Sequence, residues 1–168
     1  SVLLDDISYL LQTGTSISHK DDLLQNNSVY GILPEQMAIQ PISFDAGRFF
    51  SATEFNAGTN VCLIGFTSAE LLFGNPERAL GKQIDVKGKK VTIVGVIKKE
   101  GTNFIGWNYD NCIMLPYKFC KQIFKEENSN PILIANGKKE VTTAALSDEL
   151  RGIMRQIRKL GPKDEDNF

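Results

Sequence analysis

Two prolines, Pro34 and Pro116, bracket an abrupt change in hydrophobic period, and that change limits what the chain can fold into. Between them apolar residues come in short β-type runs: Asn60 to Ile64, Ile84 to Val86, Val91 to Ile97 and Asn111 to Leu115. Lys87-Gly88-Lys89-Lys90 separates the second run from the third, as in a hairpin with glycine in its turn. Thr67-Ser68-Ala69-Glu70 has capping-box spacing, so a short helix is expected from there to Phe73. Outside the prolines the period turns helical. Leu3, Leu4, Ile7, Leu10 and Leu11 share one face, which predicts a helix over Ser1 to Gln12. Thr15 to Ser18 and Ser28 to Ile32 read as a hairpin around the polar stretch His19 to Asn27. A helix is expected from about Pro116 to Glu126, then a strand over Ile132 to Ala135. A last helix, from about Thr143 to Leu160, carries Leu146, Leu150, Ile153, Met154, Ile157 and Leu160 as one stripe. Helices at both ends and strands in the middle predict an α+β fold, with residues 1–33 plus 117–168 as one lobe and 34–116 as an inserted β-rich lobe.

With 168 residues, the chain is long enough to bury a core without staples, about 70% of the unfolded surface. Nineteen Lys and Arg against twenty Asp and Glu leave a net charge of −1, which argues against a nucleic-acid partner, since that would want a concentrated basic face. No apolar run approaches the ~20 residues of a membrane-spanning helix, and Asp5 and Asp6 break any signal-like start, so a soluble chain is expected. Cys62 and Cys112 lie in apolar runs and read as core residues; a Cys112–Cys120 bridge stays open.

Catalytic constellations are hard to assemble from these residues. His19, the single histidine, sits in a polar turn beside Lys20, Asp21 and Asp22, and reads as solvated, not catalytic. Gly74 to Lys82 imitates a phosphate loop, but six residues separate its glycines and Gln83 stands where magnesium would need Ser or Thr, so no nucleotide hydrolysis is expected. Asp164-Glu165-Asp166 and the stripe Arg151, Arg155 and Arg158 read as solvated faces. No catalytic residue, cofactor or metal is expected. Gly101 to Asp110 carries Phe104, Ile105, Trp107 and Tyr109, unusually apolar for a connecting loop. The favoured reading folds Phe104 and Trp107 back to cap the open end of the β lobe, and the alternative makes the loop a candidate partner contact.

One string of short motifs has a recognisable order. Gly47-Arg48-Phe49-Phe50 with Glu54 leads to Val61 to Gly65, Leu72-Phe73-Gly74, Leu80-Gly81-Lys82, Val91 to Val96 and Ile113 to Pro116. The chain closes on Leu150-Arg151, Arg155, Arg158 and Pro162 to Phe168. Over roughly residues 28 to 168 this resembles the periplasmic core domain of MacB-type ABC transporter permeases. The resemblance implies a porter-like α+β lobe built from both chain ends, with an inserted β lobe. It implies a periplasmic domain of an inner-membrane permease, between its first and second membrane helices, coupling cytoplasmic ATP hydrolysis to export or mechanotransmission. The partners it implies are a cytoplasmic ATPase, a second permease protomer and a periplasmic adaptor or substrate, with the excised domain monomeric. A stand-alone periplasmic binding or adhesion module is the alternative.

Overall fold

The structure, a computed structural model, describes residues 4–100, 109–125, 129–137 and 151–152. A sixteen-residue strand, β1 (Leu4–His19), opens the fold and turns at Lys20-Asp21 into β2 (Asp22–Ile32). Then come α1 (Gln36–Ile39), β3 (Phe44–Gly47), α2 (Ala52–Ala57), β4 (Val61–Gly65) and α3 (Phe66–Phe73). A 3₁₀ turn, Pro76–Ala79, leads to β5 (Gln83–Val86) and β6 (Lys89–Ile97). After these lie β7 (Cys112–Pro116), α4 (Tyr117–Ile123) and β8 (Asn130–Gly137). Among the described residues strands dominate and the helices are short, an α+β architecture.

The N-terminal helix expected over Ser1 to Gln12 is a strand instead. Tyr9 and Leu11 enter one core while Leu10 enters the other, so both faces of β1 are covered. A strand buried on both faces shows a dense apolar run, and a dense run also satisfies helical spacing. Two ladders settle the outcome: β1 pairs antiparallel with β8 from Leu4↔Gly137 to Gln12↔Asn130, and with β2 from Leu11↔Gly31 to His19↔Asp22.

Among the described residues one sheet joins eight strands in the order β2-β7-β4-β6-β5-β1-β8, with β3 on β6. Because β1 also pairs β2, the path closes on itself, with β8 branching from β1 beyond the ring. β2–β7 and β4–β6 are parallel, and the remaining pairs antiparallel. Alternation splits the apolar residues between two faces. Val29, Ile64, Ile113 and Leu115 meet Ala69 and Leu72 of α3 and Phe119 and Cys120 of α4. Tyr30, Ile32, Leu63, Cys112 and Met114 meet Phe50 and Phe55. Each core draws residues from both sides of Pro34 and Pro116.

The β5–β6 hairpin follows its sequence closely: Lys87 (φ 51°) and Gly88 (φ 79°) both take positive φ, as a tight two-residue hairpin turn requires. α3 differs at its start. Gly65 is its N-cap and no side chain caps it, so the Thr67–Glu70 box does not form. The capping box belongs to α2, where Ser51 Oγ accepts from Glu54 N and the Glu54 carboxylate accepts from Ser51 N. Of the last predicted helix, 143–160, only residues 151 and 152 are described, and both are helical.

Candidate functional site

The Gly47-Arg48-Phe49-Phe50…Glu54 string forms a clasp over the sheet. β3 ends at Gly47 with φ +81°, and a Cβ there would fall on the Val94 carbonyl oxygen and within 2.8 Å of Gly95 Cα. That close approach lets Arg48 N donate to Val94 O at 3.0 Å. The Arg48 guanidinium then grips Glu54 with both forks, Nη1 to Oε1 at 2.8 Å and Nη2 to Oε2 at 3.1 Å, and Nη1 also donates to Phe49 O. Glu54 Oε1 accepts in addition from Ser51 N at 2.8 Å. Beneath, Phe49, Phe50 and Phe55 pack ring on ring, with Phe50 and Phe55 edge to face at 5.4 Å. A carboxylate held this way has little capacity left as a base, so the clasp is architectural.

Its charge state has a measurable consequence. The Arg48 hydrogen bonds hold the Glu54 carboxyl below its ordinary range, against a smaller opposing effect of partial burial, and the same bonds raise Arg48. A depressed folded value means that the stabilisation is complete above the unfolded value of about 4.3 and is lost as pH falls through the folded one. The Arg48 side chain is 56% exposed, so water screens the pair and its worth is about 1 kcal/mol or less. Urea unfolding of Glu54→Gln should show that deficit at pH 6 and converge on wild type as pH falls through the depressed folded value. A pH-independent gap would contradict it.

A second construction surrounds the exit of the 101–110 segment. Tyr109 is 7% exposed; its hydroxyl donates to Gln40 Oε1 at 2.6 Å and its ring meets Tyr30 edge-on. Burial pushes its phenol above the ordinary value. Asp110 O accepts from Thr67 N at 3.0 Å and Ser68 N at 3.1 Å, serving as the cap that α3 lacks in its own sequence. Asp110 Oδ1 accepts from Glu100 N at 3.3 Å, closing the base of the segment. Tyr109 is therefore an inward anchor. Phe104, Ile105 and Trp107 lie outside the described residues.

Other predicted positions have plain roles. His19 is half-buried, its Nδ1 donating to Gln83 O at 2.9 Å and its ring 4.5 Å from Phe73, which corrects the reading of a solvated turn. The Gly81 and Lys82 amides, which a phosphate loop would offer to ligand, donate to Ile93 O and Ala79 O. Arg151 is exposed, whereas Arg155, Arg158 and 164–166 are outside the described residues. Among the described residues no three His, Cys, Asp or Glu gather as a metal site, and no helix is long and apolar enough to cross a membrane.

All three cysteines are free and buried, so Cys112 and Cys120 are not bridged. Burial pushes the Cys120 thiol up to about 12, and Cys62 and Cys112 are raised as well. The folded chain should titrate close to zero thiols with a disulfide reagent at pH 8 and three in denaturant. Rapid reaction of one thiol in the folded state would count against this packing.

Comparisons place this architecture among known proteins. The family model of the MacB-like periplasmic core domain matches residues 5–153. The chain is 19% identical over 144 residues to the macrolide export ATP-binding/permease protein MacB of Syntrophobacter fumaroxidans, covering 86% of this chain and 20% of that protein. It is 27% identical over 90 residues to the pyoverdine export ATP-binding/permease protein PvdT of Pseudomonas aeruginosa, covering 53% of this chain and 13% of that protein. The chain thus spans a fifth or less of these curated relatives. The extracellular domain of the noncanonic ABC-type transporter YknZ, from Gram-positive bacteria, superposes with TM-score 0.70 at 17% identity, over 93% of this chain and 77% of that one. The periplasmic region of MacB from Actinobacillus actinomycetemcomitans gives 0.71 at 11% identity, over 94% and 69%.

Proposed function

This chain belongs to the MacB-like periplasmic core domain family, and on that premise we propose that it transmits force for an ABC transporter permease, coupling ATP hydrolysis in the cytoplasm to export or mechanical work outside the inner membrane. The observation that carries the reading is the β1–β8 ladder. Its antiparallel register, starting at Leu4↔Gly137, sets the first strand beside the last described one. Displacement of β1 relative to β8 would load this ladder directly. The domain's part in such a machine is mechanical, and hydrolysis belongs to an ATPase domain or subunit on the cytoplasmic side. A second permease protomer and a periplasmic adaptor or substrate complete the proposed assembly, with the isolated domain monomeric. Within it, residues 1–33 with 117–168 form the proposed porter-like lobe and 34–116 the inserted one. The match to a permease family over residues 5–153, with relatives named as export permeases, disfavours a stand-alone binding or adhesion module.

Phe104, Ile105 and Trp107 are the proposed partner contact, mounted on the Tyr109–Asp110 anchor. In the full-length permease, Trp107→Ala should impair export while ATP hydrolysis continues. In the isolated chain it should change stability by less than about 0.5 kcal/mol. A loss of about 3 kcal/mol or more would mean that the indole fills a core, and would overturn the contact.

A further inference from the structure

The hairpin β1–β2 is irregular at one place. Its register shifts between Thr15 and Ile17, Asn26 opposite takes φ +59°, and Asn27 turns a polar side chain into the interior, 4% exposed. That amide is not idle: Ser68 Oγ, at the first turn of α3, donates to Asn27 Oδ1 at 2.7 Å. Ser68 N in turn donates to Asp110 O, and the Asp110 carboxylate holds Glu100 N. Ser28 N, one residue beyond Asn27, donates to Asn111 O at 3.3 Å. The contact leaves no slack at the end of β4, where a Cβ on Gly65 would overlap the carbonyl oxygens of both Tyr109 and Asp110. A step in a strand, a helix terminus and the stem of the 101–109 segment are thus joined by consecutive hydrogen bonds.

We propose that Asn27, Ser68 and Asp110 form a buried relay that ties the position of the Glu100–Asp110 stem to the step in the β1–β2 hairpin. The register step is where the hairpin yields most readily, because a bulge interrupts the ladder and leaves a residue unpaired. Buried polar groups cannot exchange partners with water, so the linked elements move together or forfeit the bonds. The inference rests on the force-transmission reading above and gives it an internal path, from β1, the strand facing β8, to the stem that carries the proposed contact.

Amide hydrogen exchange on this chain tests it. In Asn27→Ala, the Glu100 and Thr67 amides should exchange at least ten times faster than in wild type. The Gly81 and Ile93 amides, bonded to Ile93 O and Lys82 O away from the relay, should change less than two-fold. Ser68→Ala should give the same pattern and serves if Asn27→Ala fails to fold. Ile84→Val, a core truncation on β5, should accelerate both sets by a common factor. Unchanged Glu100 exchange in both variants, or acceleration equal to that of Gly81 and Ile93, overturns the relay. Such a result leaves the family reading untouched, whereas unchanged export coupling in a permease variant that shows the predicted exchange pattern would count against force transmission and not against the relay.

Discussion

Gly47→Ala is expected to destabilise the chain by about 3 kcal/mol or more, read as a lower urea midpoint at unchanged slope. Two costs add. The alanine must hold φ near +81°, where a Cβ costs roughly 1–2 kcal/mol. That same Cβ would lie on the Val94 carbonyl, with Gly95 Cα at 2.8 Å and Leu80 Cδ1 at 2.6 Å. Leu80 can rotate away, but β6 backbone cannot without loosening its ladder, and overpacking of this kind costs about 1–3 kcal/mol more. Arg48 would be displaced as well, because its amide is seated on Val94 O. A loss below about 1 kcal/mol would mean that the clasp does not press on β6 as described.

Phe119→Ala should cost about 3–5 kcal/mol, the range for an aromatic removed from a core. Phe119 is 2% exposed and lies in the core where α4 packs on the sheet with Ile113, Leu115, Cys120 and Phe124. The residues around it come from several strands and two helices, so the void cannot close by movement of one side chain. Leu71→Ala provides the contrast. On the outer side of α3 at 61% exposure, it should change stability by no more than about 0.5 kcal/mol. Equal losses for the two would contradict the assignment of core and surface.

Elements governed by near neighbours were legible in the amino-acid order. Strands β4 to β7 and helix α4 carry short apolar runs bounded by Gly or Pro, and the Lys87-Gly88 turn declares its hairpin. The end of β1, Thr15 to Ser18, reads as one arm of the hairpin. Its first two thirds were not legible, because burial on both faces imitates a helical stripe and the strands that decide it, β2 and β8, include one more than a hundred residues away. α2 has only one local signal, the capping-box spacing of Ser51-Ala52-Thr53-Glu54. The helix has six residues with Phe55 alone buried, so it shows no periodicity. The cap of α3 was invisible in principle, since its acceptor is Asp110 O, supplied from a distant part of the chain. For the site, the order of short motifs pointed to the family, while the pairing of Arg48 with Glu54 and the inward turn of Tyr109 needed coordinates.

The buried thiols open a direct test of the central claim, that this domain stands outside the inner membrane. Native Cys62, Cys112 and Cys120 are shielded, so a cysteine placed at exposed Leu71 would be the reactive one among the described positions. In spheroplasts expressing the full-length permease with Leu71→Cys, a membrane-impermeant maleimide should label the protein without lysis, in excess of any labelling of wild type. Labelling of Leu71→Cys that appears only after the inner membrane is opened would place the domain in the cytoplasm and contradict the account.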